Sequence, residues 1–257
     1  MRAVFFGFLG LIIGCARGFE PLPTGLSRLV VHGPVDVQVL VGEALEPSIQ
    51  LDSTAEARWS FSAGALDVRA ADELAPERPR VSLTVRRLTS VHTADGAAVT
   101  INRLRGGRLE AVATHGARLI VVDADADTLS LEATRDGQLD VGGRARVVEA
   151  RADDVGRIDA GALTSGVARV RASALSTVTL RAPDFLKAEL SRASRLRLDR
   201  PARNQLLQRD EGSTLDVERG EQAPPGLTRD YPTRRMGRWG MPSSSYGSPS
   251  GTKPSEP

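Results

Sequence analysis

A repeat of about 20 residues in the middle of the chain restricts its fold more than any other feature. A short apolar-x-apolar step recurs, and the first residues of successive steps lie 20, 20, 19, 20, 18 and 19 residues apart. Each step follows a longer run with apolar residues at alternate positions, and turn-forming residues separate the run from the step. The seven steps are Val99/Ile101, Leu119/Val121, Leu139/Val141, Ile158/Ala160, Val178/Leu180, Leu196/Leu198 and Leu215/Val217.

This repeat predicts a parallel β-solenoid. Alternation with a period of two indicates strands that turn one face inward. A fixed repeat of this length indicates stacked coils, because one such unit cannot bury its apolar face alone. Leucine-rich repeats have a similar length, but they need Asn or Cys at a fixed position, and the only asparagines here are Asn102 and Asn204. We therefore expect an all-β chain with about seven rungs of 18–20 residues.

The repeat also fixes which side chains of a rung point into the core. In the segment LSLEATRDGQLDV, the apolar positions are predicted to point inward and the polar positions between them outward. Inward residues are Leu129, Leu131, Leu139 and Val141, and outward residues are Ser130, Glu132, Gln138 and Asp140.

Residues 28–87 read as strands with a weaker period. The segment RLVVHGPVDVQVLVG offers Val35, Val37 and Val39 as inward positions, and Gly, Pro and Ala-Asp-Glu turns separate the strands that follow. We expect antiparallel or irregular strands that cap the open end of the solenoid, because uncapped strand edges favour aggregation.

The N-terminus is typical of an export signal. Met1-Arg2 precedes a 12-residue apolar run and then Cys15, the only cysteine of the chain. As a helix this run would span about 18 Å, too short for a hydrocarbon layer of roughly 30 Å. Ile12-Ile13-Gly14-Cys15 resembles the bacterial lipobox, which predicts cleavage before Cys15 and lipidation of its sulfur. The alternative is ordinary secretory cleavage after Gly14-Cys15-Ala16.

These patterns divide the chain into four parts. Residues 1–14 are predicted to be a signal peptide, 15–27 a linker after the lipidated Cys15, and 28–220 the solenoid. Residues 221–257 are rich in Pro, Gly and Ser without apolar periodicity, which predicts a disordered basic tail. By resemblance to lipoproteins, in which Asp after the cysteine favours inner-membrane retention, Ala16 points to the outer membrane.

Charge and cysteine content exclude several classes of protein. Most of the basic excess lies in residues 1–17 and 221–257, so the body of the chain is slightly acidic. Such a body lacks the concentrated basic surface that binds nucleic acid. A single cysteine excludes a disulfide framework and a Cys-based zinc cluster.

The run from Arg28 to Glu218 resembles the head GIN domain family of auto-transporter adhesins. The resemblance rests on Leu29-x-x-x-Gly33-x-x-Asp36-Val37-x-Val39 with Gly42, then SAGALDV, then VSLTVRRLTSV, and on turns such as Ala94-Asp95-Gly96-Ala97-Ala98-Val99. It implies a right-handed β-solenoid of an envelope lipoprotein without established catalytic residues. Family turns often read Gly-Ser-Gly, whereas later turns here read Ala174-Leu175-Ser176, which predicts degenerate last rungs.

Three groups of residues could carry chemistry. Asp123, Asp125 and Asp127 have the spacing of half a calcium loop, but Thr128 and Thr134 stand where that loop needs Gly and Glu, so a solvated edge is the simpler interpretation. Carboxylates of Asp136, Asp153 and Asp154 lie in successive turns, as in solenoid polysaccharide hydrolases and lyases, although Asp is also an ordinary turn residue. His32, His92 and His115 occupy different repeat positions, which predicts no shared metal site and no Ser-His-Asp arrangement.

The sequence therefore favours a non-enzymatic, exported and lipid-anchored module that binds or supports the cell envelope like an adhesin. A polysaccharide-active enzyme of the solenoid type is the alternative. Aromatic residues make up 4% of the chain, which argues against an aromatic sugar-binding groove but leaves a polar groove open. We expect no cofactor and no nucleic acid; possible partners are the outer membrane through the anchor and an envelope polymer or surface glycan.

Overall fold

The protein is a parallel β-solenoid, as its repeat predicts. A computed structural model describes residues 12–15, 19–23, 25–43, 46–72, 74, 76–218 and 229–232. Strands build about six turns, and the seven predicted apolar steps delimit these turns. In the part of the chain that the structure describes there is no helix, hence none that could cross a membrane.

Face A of the solenoid carries the short apolar steps. Its strands pair in parallel in the order β8, β4, β10, the start of β12, the start of β13, β14, β16, β18 and β20. Their bounds are β4 Asp36–Val41, β8 Arg80–Val85, β10 Ala98–Asn102, β12 Arg118–Thr134, β13 Gln138–Asp153, β14 Arg157–Ala160, β16 Thr177–Leu180, β18 Arg195–Leu198 and β20 Thr214–Val217.

Face B carries the longer alternating runs. Its parallel order is β7, β3, β9, β11, the end of β12, the end of β13, β15, β17, β19 and β21. Their bounds are β3 Arg28–His32, β7 Ala65–Ala70, β9 Ser90–Ala94, β11 Leu104–Thr114, β15 Leu163–Ala172, β17 Phe185–Leu190, β19 Asn204–Arg209 and β21 Arg229–Pro232.

A third, short face C joins A to B in the middle rungs. Residues 104–106, 124–126, 143–145 and 163–165 pair in register there. Strands β12 and β13 are long because the extended backbone continues across this face from A to B.

The predicted inward and outward alternation is confirmed. Leu129 and Leu139 are fully buried, Leu131 and Val141 nearly so, while Gln138 is exposed and Ser130, Glu132 and Asp140 are half-buried. Only the last step differs: Leu215 and Val217 are partly exposed. Their strand β20 pairs with β18 on one side, so no further rung covers them among the described residues.

The N-terminal strands supply coils of the solenoid itself in addition to the antiparallel strands that the sequence predicts at its end. Strands β3, β4, β7 and β8 are parallel members of the solenoid. Only β5 (Ser48–Leu51) and β6 (Ala57–Ser62) run antiparallel, against β8 and β7. The reason is that Val31, Val37 and Val39 alternate as regularly as residues of the later rungs and bury the same inner face.

Two segments outside the predicted solenoid also contribute strands. In the predicted linker, β2 (Phe19–Pro21) pairs antiparallel with β5, and Leu22 and Leu26 are buried. In the predicted tail, the backbone of β21 (Arg229–Pro232) pairs with β19. Pairing of this kind needs only an open backbone edge, which a sequence without apolar periodicity can satisfy. The rest of the tail lies outside the described residues.

A column of identical turns follows the face B strands. Two central residues adopt positive φ, for example Asp154 at 48° and Val155 at 65°, and an N–H to C=O bond of 2.9 Å from Gly156 to Asp153 closes the turn. This is the type I′ geometry. Ala174 and Leu175 have φ values of 52° and 64°. The later turns therefore keep the geometry that the sequence predicts to be lost.

Hydrogen bonds between neighbouring turns stabilise the residues other than Gly that adopt a positive φ. The Val155 N–H donates to the Ala174 carbonyl at 2.9 Å, and the Asp136 N–H to the Asp154 carbonyl at 3.2 Å. Each rung therefore supports the turn of its neighbour, which offsets a cost of about 1–2 kcal/mol for a left-handed non-Gly residue.

Candidate functional site

Two grooves run along the solenoid, one on face C and one on face B. The first, the corner groove, encloses about 650 Å³. Its floor is a column of small residues in register, Gly106, Ala126, Ala145 and Ser165. Small side chains here leave a depression, because the outward residues on both sides are arginines and aspartates.

Opposite charges alternate along the walls of the corner groove. The Arg105 guanidinium lies 2.9 Å from Asp123 and 3.8 Å from Asp125. Arg144 lies 3.3 Å from Asp125, and Arg146 lies 3.7 Å from Asp127. All three aspartates of the predicted solvated edge therefore have arginine partners from adjacent rungs.

The second groove, the arginine groove, lies on the outward side of face B. Two adjoining depressions of about 410 and 380 Å³ share Arg151, Arg171 and Glu189 in their linings. Arg151 pairs with Arg171 in the strand register, and Glu149 with Arg169, so like positions of successive rungs stand side by side. Outward residues of the apolar runs form its walls, and Ala150, Ala152 and Ala172 also line it.

Basic groups outnumber acidic groups in the centre of the arginine groove. Arg169 binds Glu149 at 2.8 Å, whereas Arg171 and Lys187 share one carboxylate, Glu189, at 3.1 and 3.2 Å. Arg151 forms no ion pair within 4 Å among the described residues. The Lys187 ammonium, followed by the Arg171 guanidinium, lowers the pKa of Glu189.

The turn carboxylates lie beside this groove and are held by hydrogen bonds. Asp153 accepts the Ser173 hydroxyl, which lowers its pKa; the charges of Arg192 and Arg151 act in the same direction. Asp136 and Asp154 stand in neighbouring turns, as the sequence predicts. They meet through their backbones, and no bond joins their side chains in the described structure.

Two of the three histidines lie near one carboxylate, although they occupy different repeat positions. His32 Nδ1 lies 3.5 Å from Asp95 and His115 Nδ1 lies 3.9 Å from it, because the first coil is inserted next to β9. Arg135 Nη1 lies 2.8 Å from His115 Nε2, so this nitrogen accepts and the neutral ring carries its proton on Nδ1. His92 points outward between the buried Val91 and Thr93, as predicted. Among the described residues, no three His, Cys, Asp or Glu side chains are grouped so that they could hold a metal ion.

Cys15, the predicted lipidation site, is the last residue of β1 (Ile12–Cys15). Its backbone pairs antiparallel with Arg58 of β6. The Cys15 side chain and residues 1–11 lie outside the described part of the chain, so lipidation remains a prediction.

Sequence reasoning missed both grooves, although a signal was present. Arg151 and Arg171, like Glu149 and Arg169, occupy one column when the repeats are aligned on their apolar steps. Outward columns of the alignment would have shown the accumulation of arginine. The corner groove has a weaker signal, because Gly and Ala in its floor also suit ordinary turns.

Comparisons with known proteins identify related sequences and folds. Residues 25–199 match a family described as "Putative auto-transporter adhesin, head GIN domain". A solved structure of a "putative adhesin" from Bacteroides fragilis NCTC 9343 is 11% identical with a TM-score of 0.66, covering 81% of this chain and 97% of its own. A second structure of a "putative adhesin", from Parabacteroides merdae ATCC 43184, is 14% identical with a TM-score of 0.58. The match covers 80% of this chain and 95% of that chain. No curated protein matches significantly.

Proposed function

Because the chain belongs to the head GIN domain family of auto-transporter adhesins, we propose that it is an adhesin-like cell-envelope module that binds a polymer along its solenoid. The observation that carries this proposal is the pair of open grooves parallel to the rod. In each groove, the same strand positions of successive rungs present charged side chains in register. A linear polymer laid along either groove would meet a similar set of contacts at every rung, about 4.8 Å apart.

Binding without catalysis is the function that the corner groove favours. Its carboxylates could serve a hydrolase or lyase, because paired carboxylates are the usual catalytic groups for glycoside hydrolysis. Asp125 and Asp127 are instead engaged by arginines, and Asp184 lies 3.8 Å from Arg203. Such a network suits recognition of a polar ligand.

A binding screen tests this function. The full-length protein is immobilised and exposed to isolated envelope polymers and host glycans, and every bound polymer is analysed for shortened products. Saturable binding with unchanged polymer length supports the proposal. Chain shortening would establish the hydrolase or lyase alternative, and an absence of binding to every polymer would contradict both.

Export and anchoring at the outer membrane through Cys15 complete the proposal. Cleavage before Cys15 would also remove Ile12–Gly14 and with them most of the strand that pairs with β6. Cys15→Ser is expected to move the protein into the soluble fraction and abolish labelling with fatty acid, because two or more acyl chains on one cysteine hold a protein at a membrane stably. Unchanged partitioning of this variant would contradict the anchor.

A further inference from the structure

We propose that the arginine groove binds the carboxylate groups of an acidic polysaccharide. This inference rests on the proposed polymer-binding function and names its ligand class and site. The larger of its two depressions is lined by four basic side chains, Arg151, Arg169, Arg171 and Lys187, and three acidic ones, Glu132, Glu149 and Glu189; the smaller depression adds Asp153.

Arg151 is the residue that most directly indicates an anionic ligand. Its neighbours in register are Glu132 on one side and Arg171 on the other, and no carboxylate lies within 4 Å of it in the described structure. Arg171 is 71% exposed, and among the described residues it shares with Lys187 the one carboxylate that it contacts, Glu189. These two arginines stand side by side on adjacent strands, where guanidinium groups could each bind a carboxylate in bidentate fashion.

The spacing of the groove favours a polysaccharide over an extended acidic peptide. Rungs stack about 4.8 Å apart, whereas same-face side chains of an extended peptide recur about every 6.6–6.8 Å. A peptide would therefore lose register within a few rungs. A chain of uronic acids has no two-residue pleat, and rotation about its glycosidic bonds lets its carboxylates reach Arg151 and Arg171 on adjacent rungs.

Few aromatic residues are available for sugar stacking on this face. From β9 to β20 the strands contain one aromatic residue, Phe185 of β17, which is 38% exposed. Recognition would therefore depend on charge-assisted hydrogen bonds, which require the acidic groups and weaken with added salt.

The test compares two polymers that differ in charge alone. Binding of the full-length protein to polygalacturonate and to its methyl ester is measured at low salt, for wild type and for Arg151→Gln/Arg171→Gln. We expect wild type to prefer polygalacturonate at least tenfold, and the double variant to lose at least tenfold in affinity for it, since a charge-assisted hydrogen bond contributes about one order of magnitude.

Two control variants distinguish binding at this site from non-specific attraction to positive charge. Arg118→Gln/Arg195→Gln removes the same charge from face A, and Arg157→Gln/Arg197→Gln removes it from other positions of that face, outside both grooves. Both are expected to bind polygalacturonate within about threefold of wild type. Equal losses in all three variants would show non-specific attraction and overturn the inference, as would equal affinity for the methyl ester.

Further ligands distinguish failure of the site from failure of the proposed function. Binding of neutral polymers, unaffected by Arg151→Gln/Arg171→Gln, would overturn the inference and leave the polymer-binding function intact. Stronger binding to polyglutamate, to phosphatidylglycerol vesicles or to duplex DNA than to polygalacturonate would assign the groove to a peptide, a membrane or a nucleic acid instead. Failure to bind any polymer would overturn both.

Discussion

The two halves of the solenoid are built by different routes. From β10 to β20, each rung pairs with the rung that precedes it in sequence. In the N-terminal half, the first coil of β3 and β4 lies between the coil of β7 and β8 and the coil of β9 and β10. The order of the coils in the stack thus departs from their order in the chain, and the first coil is not covered on both sides until residues up to 102 are available.

This difference affects how the two halves of the solenoid fold and unfold. In the sequential rungs, each unit contacts its neighbours alone, so loss of one rung acts locally. The inserted coil has partners that are distant in sequence on both sides, and such contacts make folding slower and more cooperative. We expect the N-terminal half to unfold as one unit and the sequential rungs to open from their C-terminal end.

The largest expected effect tests the strict alternation of the sequential rungs. Leu139→Asp would bury an unpaired carboxylate and open a cavity, at a cost of about 4 kcal/mol or more. Gln138→Asp changes the adjacent exposed position and should cost within about 0.5 kcal/mol. Urea unfolding measures both values, and equal effects would contradict the assigned register.

A second pair of substitutions compares the two halves directly. Leu29 and Leu198 are both buried, at 0% and 1% exposure, so either change to Ala should cost about 3 kcal/mol at its own site. Leu29 is in register with Leu66 and Val91, on either side of the inserted coil. Hydrogen exchange should therefore accelerate throughout β3–β10 in Leu29→Ala, but only in the last rungs in Leu198→Ala. The same pattern in both variants would refute the distinction between the halves.

A third prediction, with a smaller effect, concerns two glycines in the column of turns. It distinguishes the cost of a steric clash from the cost of a left-handed backbone conformation. A Cβ on Gly156 would lie 2.1 Å from the Ala133 carbonyl oxygen, so Gly156→Ala should cost about 2–3 kcal/mol. Gly116 has a φ of +70° but open space around it, and the column accepts non-Gly residues at this position. Gly116→Ala should therefore cost about 1 kcal/mol. Thermal unfolding of the two variants provides the test.

The smallest expected effect is an acid sensitivity confined to the sequential rungs. The pKa values of Asp153, Glu189 and Asp210 are lowered, mainly by Ser173, Lys187 and Ser213 respectively. Since each folded-state pKa lies below the unfolded one, these groups stabilise the fold above the unfolded pKa, near pH 4, and that contribution is lost as the pH falls through the folded pKa. Hydrogen exchange should show the last rungs loosening first in acid.

Ser173→Ala is the matched control for this acid sensitivity. It removes the largest cause of the lowered pKa at Asp153 and should reduce the loss of stability between about pH 5 and pH 3. An identical pH profile for wild type and variant would show that Asp153 does not contribute.

Much of the fold could be predicted because a periodic apolar pattern is a local property. Leu129 and Leu139 are buried where the period places them, and the seven steps share one face. The turns were harder to predict, because Ala174 and Leu175 are unusual at positive φ and are stabilised by a neighbouring rung that the turn sequence does not reveal.

The sequence by itself determined the repeat length, the inward register and the class of solenoid, since each follows from spacing along one strand. Only the tertiary structure decided the order of the coils and, with it, the meeting of His32 and His115 at Asp95. It also decided that Arg151 would stand beside Arg171 with no carboxylate within 4 Å in the described part of the chain, whereas Arg144 and Arg146 lie within that distance of Asp125 and Asp127. The physical reason is that these contacts join side chains of different rungs. Charge pairing between rungs depends on lateral register and on which strand lies next, and neither is encoded within a single repeat.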